Sequence, residues 1–133
     1  MRTGQRDSLG PKGERAAARY LRRRGYRLLG RNLVTRFGEA DLLFQAADGC
    51  IVLVEVKARR ARTGAPPPES SVTLAKRQKL ARILEHLVRQ NGWTQRPRRI
   101  DVVAVEFQRR RWLPDKAFVR HIERAVGQGG GVP

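Results

Sequence analysis

The sequence predicts an α/β fold in which one mixed β-sheet is flanked by helices, in the order α-β-β-β-α-β-β. Segments with helical periodicity alternate with short runs rich in valine, isoleucine and leucine, which are typical of strands. The dipeptide Asp48-Gly49 between two of these runs is a strong hairpin signal. With 133 residues the chain is long enough to bury a hydrophobic core and favours one domain.

The first helix is predicted to begin at Gly10-Pro11 and to end near Arg24, since proline is tolerated in a first helical turn and glycine, here Gly25, often follows a last one. Glu14 lies on the apolar stripe of this helix together with Ala17, Ala18 and Leu21. A carboxylate that faces the body of a protein is costly unless a partner compensates it. Glu14 is therefore a candidate functional residue.

The remaining elements follow from periodicity and turn residues. Strands are predicted over residues 26–35, 39–46, 50–58, 99–107 and 117–121, a second helix runs from its cap at Thr73 to about residue 91, and a short helical turn ends near residue 126. Apolar residues recur at helical spacing in the second helix, at Leu80, Ile83, Leu84, Leu87 and Val88. The single domain is expected to span residues 10–126. Residues 1–9, the proline-containing loop 58–71 and the tail 127–133 are expected to be flexible.

The chain is strongly basic, with a formal net charge of +17. Such a surface attracts polyanions and predicts a nucleic acid as partner, with an acidic protein or a membrane surface as alternatives. No apolar run approaches the roughly 20 residues that a membrane span requires, and none follows the N-terminus as in a secretory signal. The single cysteine, Cys50, excludes an internal disulfide. These features predict a cytoplasmic protein.

The most informative segment is the apolar strand that ends in Glu55-Val56-Lys57. Alternate side chains of a strand share a face, so Glu55 and Lys57 are predicted to point the same way. A two-residue turn would set Asp41 of the preceding strand opposite Val56, whereas a three-residue loop at 47–49 sets it opposite Glu55. The three-residue loop needs a left-handed residue at its last position, where Gly49 stands. We therefore predict that Asp41 and Glu55 meet.

Two carboxylates at this distance repel each other unless a cation lies between them. Carboxylate oxygens suit a hard divalent ion, so Mg²⁺ or Mn²⁺ is the expected cofactor, with Asp41 and Glu55 as its ligands. Such an ion would support phosphodiester hydrolysis, with Lys57 orienting water or stabilising the developing charge. The alternative is an ordinary ion pair between Glu55 and Lys57 at a solvated strand end, with Asp41 in a turn.

Several other residues have both a functional and a structural interpretation. Phosphate contact is predicted for a basic group in the loop and at the start of the second helix, namely Arg59, Arg60, Lys76, Arg77 and Lys79. Arg109-Arg110-Arg111 is a candidate phosphate clamp, while Trp93 and Trp112 are candidates for base stacking or for packing. Asp101 is interpreted as a buried aspartate held by a neighbouring arginine. His86, His121 and Gln78 are interpreted as structural or surface residues.

These motifs resemble a known family. Gly38-Glu39-Ala40-Asp41-Leu42 followed by Val54-Glu55-Val56-Lys57 resembles the signature of the YraN-type bacterial proteins, and the similarity extends over about residues 10–126. Its further matches include Gly13-Glu14, Gly25-Tyr26, Arg31-Asn32 and Arg99-Ile100-Asp101-Val102-Val103. Ala40 stands where the family usually has isoleucine.

The resemblance implies a restriction-endonuclease-like fold similar to that of archaeal Holliday-junction resolvases. It implies that Asp41 and Glu55 bind metal, that Lys57 is the catalytic lysine and that Glu14 is an acid supplied by the helix. The expected activity is metal-dependent cleavage of DNA rather than RNA, with branched or repair intermediates as substrates and a homodimer as the working unit. The alternatives are a non-catalytic nucleic-acid-binding module on the same fold and a basic ribosome-associated protein.

Overall fold

Five strands and two α-helices make up residues 4–124, the part of the chain that the computed structural model describes. The elements are α1 (Gly4–Arg23), β1 (Arg27–Thr35), β2 (Gly38–Gln45), β3 (Ile51–Arg60), α2 (Leu74–Gln90), β4 (Arg98–Gln108) and β5 (Lys116–Ile122), with a 3₁₀ helix at Pro68–Ser71. The predicted α/β class and element order are confirmed. The predicted tail 127–133 and the end of the predicted helical turn, residues 125 and 126, lie outside the described residues.

The strands form one sheet in sequence order, β1-β2-β3-β4-β5. All neighbours are antiparallel except β3 and β4, which are parallel and are connected through α2. This mixture arises because a short turn can only reverse the chain, whereas a parallel neighbour requires a crossover segment. The predicted mixed sheet is confirmed, with β3 in the centre and β4 beside it.

The core lies on both faces of the sheet. On one face α1 buries Ala17, Ala18 and Leu21 against residues that include Leu42, Phe44, Val52, Val54 and Val103. On the other face α2 buries its apolar stripe, Leu80, Ile83, Leu84, Leu87 and Val88, against Leu43, Ile51, Leu53 and Ile100. Neither α-helix of residues 4–124 has the length and apolarity that a bilayer crossing requires.

The first helix begins at Gly4, so the prediction that it begins at Gly10-Pro11, six residues later, is wrong. Gly10 and Pro11 lie inside the helix instead of opening it. Proline removes one backbone donor from the helix and normally marks its start. Here the additional turns are stabilised by Leu9, which packs against the core under α1.

The β2–β3 hairpin has the predicted register. Leu42 pairs with Val54 and Gln45 with Ile51, which leaves a three-residue loop at 47–49. Gly49 adopts the left-handed conformation that this loop needs, with φ of 92°, and its N–H donates to the carbonyl of Ala46. The register that brings Asp41 level with Glu55 is therefore confirmed.

The segment between β3 and α2 is more ordered than the predicted flexible loop 58–71. Strand β3 continues to Arg60, and the 3₁₀ helix buries Pro68. Glu69 of that helix accepts two hydrogen bonds from Arg120 of β5, at 2.7 and 2.8 Å. Proline and serine indicated a loop, but the contacts that hold it come from residues far away in sequence. Helix α2 then begins as predicted, with the Thr73 hydroxyl accepting the N–H of Lys76 at 3.1 Å.

Gly13 lets α1 lie directly against β3. A β-carbon at this position would lie 2.5 Å from the β-carbon of Ala58, which is closer than real side chains approach. We expect Gly13→Ala to push α1 away from the sheet and to lower the free energy of unfolding by about 1–3 kcal/mol, as overpacking does. Urea unfolding followed by circular dichroism measures this change.

Gly10→Ala is the matched control, because a β-carbon at Gly10 would meet nothing within 4 Å. Alanine is a better helix former than glycine, so the free energy of unfolding of this variant should increase by about 0.4–1 kcal/mol. Equal gains in both variants would show that α1 does not pack closely on β3.

Candidate active site

The candidate site lies where β2 separates from β3. The described pairing of these strands ends at Leu42 and Val54. Asp41 precedes Leu42 in β2 and lies just beyond the end of this pairing. Its Oδ2 atom accepts the N–H of Val56 at 2.8 Å, so a side chain takes the place of a backbone carbonyl as the acceptor. Ala40 packs on the α2 side and Leu42 on the α1 side, although residues two apart share a face in a regular strand. The alternation of β2 therefore breaks at Asp41.

A pocket of about 370 Å³ occupies this separation. Its lining comes from both helices and both strands, and consists of Gly10, Glu14, Asp41, Glu55, Val56, Lys57, Ala58 and Lys76. The structure thus brings together the four residues predicted to be catalytic, Glu14, Asp41, Glu55 and Lys57. Because the strands diverge here, α1 from one face of the sheet and α2 from the other both reach the same cavity.

Glu55 is the buried centre of the pocket, with 5% of its surface exposed. Two ammonium groups contact its Oε2 atom: Nζ of Lys57 lies at 3.4 Å and Nζ of Lys76 at 3.6 Å. A buried carboxylate is costly without such partners. Lys57 comes from the same strand, two residues on, while Lys76 arrives from the first turn of α2 because Thr73 caps that helix.

Asp41 is the electrostatically strained member of the site. Burial of its side chain, followed by the charge of Glu55, raises the pKa of the Asp41 carboxyl from its ordinary 3.8 to about 7. Glu14 acts in the same direction, whereas the Val56 N–H and Lys76 act against it. At neutral pH the Asp41 carboxyl is therefore near the midpoint of its titration, because the pocket disfavours its charged form.

The donor set fits a hard divalent cation bound by two carboxylates. Among residues 4–124, no group of three or more His, Cys, Asp or Glu side chains is arranged to hold a metal ion. Mg²⁺ does not require such a cage, since it is commonly bound through one or two carboxylates together with water and substrate phosphate. Burial is the main cause of the raised pKa of Asp41, and the charge of Glu55 adds to it; a cation beside both carboxylates would offset both effects. The residues present therefore fit this cofactor.

The residues predicted to contact phosphate do not all lie in the pocket. Lys76 does, while Arg77 and Lys79 are exposed further along α2. Arg59 and Arg60 belong to β3 and not to a mobile loop. Their guanidinium groups are engaged, that of Arg59 by Glu106 at 2.9 Å and that of Arg60 by Asp115 at 3.0 Å.

The structural interpretation of Asp101 and His121 is confirmed. Asp101 is fully buried and accepts hydrogen bonds from Arg99 at 3.0 Å and from the backbone of Arg124 at 2.9 Å. Nε2 of His121 lies 2.7 Å from Oδ2 of Asp101. Burial opposes the charge of Asp101, but the bonds from His121 and Arg99 outweigh it and lower the pKa of this carboxyl. This network joins β4 to β5 away from the pocket.

Sequence reasoning missed two features of this region. The sequence predicts phosphate contact for Lys76 but not its ion pair with Glu55, although the cap at Thr73 places Lys76 in the first turn of α2. Asp115 received no role, yet its Oδ2 contacts both Arg60 and Lys12. No local pattern indicates these partners, because they lie 55 and 103 residues away.

Comparison with known proteins gives the family. A model of the "Uncharacterised protein family UPF0102" matches residues 13–105. A UPF0102 protein from Symbiobacterium thermophilum is 45% identical over 98 residues, covering 74% of this chain and 81% of that protein. One from Roseiflexus castenholzii is 38% identical over 125 residues, covering 93% and 97%. One from Pelotomaculum thermopropionicum is 42% identical over 106 residues, covering 78% and 85%. The chain belongs to the UPF0102 family, which confirms the YraN-type resemblance.

The raised pKa of Asp41 makes a testable contribution to stability. Between about pH 4 and pH 7 the folded protein keeps a proton on Asp41 that the unfolded chain releases, so this residue lowers the free energy of unfolding as the pH rises through that window. Asp41→Asn removes the titration and keeps an oxygen that can accept the Val56 N–H. We expect the free energy of unfolding of the variant, relative to that of wild type, to rise by about 1–3 kcal/mol between about pH 4 and pH 7.

Urea unfolding of both proteins at half-unit steps from pH 4 to pH 8, without divalent ions, measures the difference. Taking the difference between variant and wild type cancels the titration of carboxylates outside the pocket, including Asp101. A difference that stays constant with pH would contradict the electrostatic description of Asp41.

Proposed function

We propose that this protein is a metal-dependent nuclease of restriction-endonuclease-like type that hydrolyses phosphodiester bonds of DNA, with branched or repair intermediates as its substrates. The observation that carries the proposal is the meeting of Asp41, Glu55 and Lys57 in one pocket, where burial and then the charge of Glu55 raise the pKa of Asp41 to about 7. The proposal implies a cytoplasmic protein that works on the nucleoid, and a two-fold dimer for substrates with two-fold symmetry.

Asp41 and Glu55 would hold Mg²⁺ or Mn²⁺. When bound, the ion supplies the Lewis acidity that activates water and offsets charge on the phosphoryl oxygens. The hydrogen bond from Val56 to Oδ2 holds the Asp41 carboxylate in place and leaves its other oxygen available to a ligand. Burial of Glu55 keeps water out of its side of the pocket and strengthens its interaction with any cation.

Lys57 would be the catalytic lysine. Its ammonium group is held 3.4 Å from Oε2 of Glu55, so it remains inside the pocket and not extended into solvent. There it can orient the attacking water or stabilise negative charge on the phosphate in the transition state. Lys76 adds a second positive charge on the α2 side and suits the scissile phosphate or its neighbour.

Glu14 would provide the acid from α1. It reaches the pocket from the face opposite to Lys76, at the point where Gly13 lets the helix approach β3. From this position its carboxylate can exchange a proton with water in the pocket, or complete the ligands of the cation through a water molecule. The basic surface of the chain, with its net charge of +17, supports nucleic acid as the substrate.

A nucleic-acid-binding module without catalysis is the second candidate, and one observation favours it. Glu55 is already compensated by Lys57 and Lys76 without any metal ion. In that case the pocket would be an ion-pair cluster whose lysines exchange Glu55 for a phosphate group. The two functions differ in whether the site takes up a divalent cation and whether it cuts DNA.

Cation binding can be tested without activity. Thermal unfolding of wild type should shift upward by about 3–5 °C when Mn²⁺ is present at about ten times its dissociation constant. Asp41→Asn should lose this shift because it removes one charged ligand. Glu85→Gln is the control, since Glu85 forms a part-exposed pair with Arg98 away from the pocket and should keep the full shift. An equal shift in all three proteins would place the cation elsewhere.

Cleavage is tested with labelled branched, flapped, single-stranded and duplex DNA in the presence of Mn²⁺ or Mg²⁺. We expect Asp41→Asn and Lys57→Ala each to lower the rate by at least about 100-fold while DNA affinity persists, because both groups act on the transition state. Lys116→Ala, which removes an exposed lysine of β5, is the matched control and should cut like wild type. Wild type that binds all four DNAs and cuts none would favour the binding module.

A further inference from the structure

The loop between β4 and β5, residues 109–115, presents an aromatic side chain to solvent. Trp112 is 87% exposed and the neighbouring Leu113 is 60% exposed. Three arginines, Arg109, Arg110 and Arg111, stand directly before them in the sequence. Two large exposed apolar residues next to three arginines form a surface with both apolar and positively charged groups, which is a candidate interaction site.

The loop is held in a defined position. Nε of Arg110 donates to the carbonyl of Pro114 at 2.9 Å and closes the turn. At its base, Oδ2 of Asp115 contacts Nη1 of Arg60 at 3.0 Å and Nζ of Lys12 at 3.3 Å. Arg60 and, more weakly, Lys12 lower the pKa of Asp115, so these ion pairs persist through neutral pH. The base of the loop is therefore held against both β3 and α1.

Both anchors belong to elements that build the candidate active site. Arg60 is three residues beyond Lys57 on β3, a distance of about 10 Å along a strand. Lys12 is two residues before Glu14 on α1. A groove of about 410 Å³ is formed by the ends of β3 and β4 and the residues that follow them, and its lining includes Arg60, Arg62, Glu106 and Arg109. Its three arginines place positive charge next to the loop.

We propose that residues 109–113 dock an unpaired nucleotide of the substrate, with its base stacked on the indole of Trp112 and its flanking phosphates on the neighbouring arginines. This inference deepens the proposed function, because it makes a flap or other single-stranded segment the feature that the protein recognises. The guanidinium carbon of Arg111 lies 5.6 Å from the Trp112 ring centroid, so positive charge is already held beside the stacking surface. Stacking is tolerant of sequence because every base has a π-face.

Charge favours nucleic acid over the other partners that an exposed tryptophan could have. A second copy of this chain would bring another strongly positive surface against the three arginines, which repels. One short loop offers little apolar area to a membrane. A polyanion with exposed aromatic bases matches both the arginines and the indole.

The test measures affinity in buffer with EDTA, so that binding is separated from cleavage. Fluorescence anisotropy compares a labelled single-stranded oligonucleotide with its blunt duplex. We expect Trp112→Ala to weaken single-strand binding by at least about fivefold and duplex binding by less than about twofold. Trp112→Phe should keep most of the affinity because phenylalanine also stacks. The thermal midpoint checks folding, and the exposure of Trp112 predicts that it stays unchanged.

A second readout uses the fact that the chain has two tryptophans. Trp93 packs against the core beside α2, so in a Trp93→Phe variant the emission reports Trp112 alone. Single-stranded DNA should quench this emission. Absence of quenching, or equal loss of single-strand and duplex affinity in Trp112→Ala, would overturn the inference.

Two more outcomes would also overturn it. In the first, Trp112→Ala loses binding to vesicles of anionic lipid while its DNA affinity is unchanged. In the second, Trp112→Ala loses self-association in sedimentation while its DNA affinity is unchanged. Failure of the proposed nuclease activity is distinguishable from all of these. In that case wild type would cut no DNA, while the Trp112-dependent preference for single strands would remain.

Discussion

The hydrogen bond from the Val56 N–H to Oδ2 of Asp41 is the interaction on which the site depends. It ends the pairing of β2 with β3 without leaving a buried donor unsatisfied, which is the usual cost of separating strands. Because a side chain takes the place of a backbone carbonyl, the strands can diverge and a pocket can open in the middle of the sheet. The same bond holds a carboxylate at the mouth of that pocket next to Glu55.

The charges in the pocket are divided unevenly. Glu55 has two lysines at 3.4 and 3.6 Å, whereas Asp41 has a backbone donor and a raised pKa. Glu55 is thus stable in the folded protein without a ligand, and Asp41 is the group that gains from one. Under the proposed function, this difference would let a cation bind at Asp41 without being required for the folded state.

The pocket also requires that the two helices approach it from opposite faces of the sheet. Helix α1 approaches β3 closely because Gly13 has no side chain, and this brings Glu14 to one wall of the pocket. Helix α2 starts at Thr73 and brings Lys76 to the other wall. Each helix is amphipathic and packs on its own face of the sheet, so only a break in the sheet lets both contribute to one cavity. The anchored β4–β5 hairpin extends this region toward solvent.

The sequence alone determined the order of the elements, the start of α2 and the β2–β3 register, because apolar periodicity, the Thr73 cap and the left-handed Gly49 are local signals. From that register it also followed that Asp41 and Glu55 would meet. Tertiary structure decided the start of α1, where Leu9 packs on the core and Pro11 does not end the helix. It also decided the contact of Lys76 with Glu55 and the pairing of Arg59 and Arg60 with Glu106 and Asp115. These contacts join residues far apart in the chain, and only the packing of helices and strands brings such charges within a few ångströms.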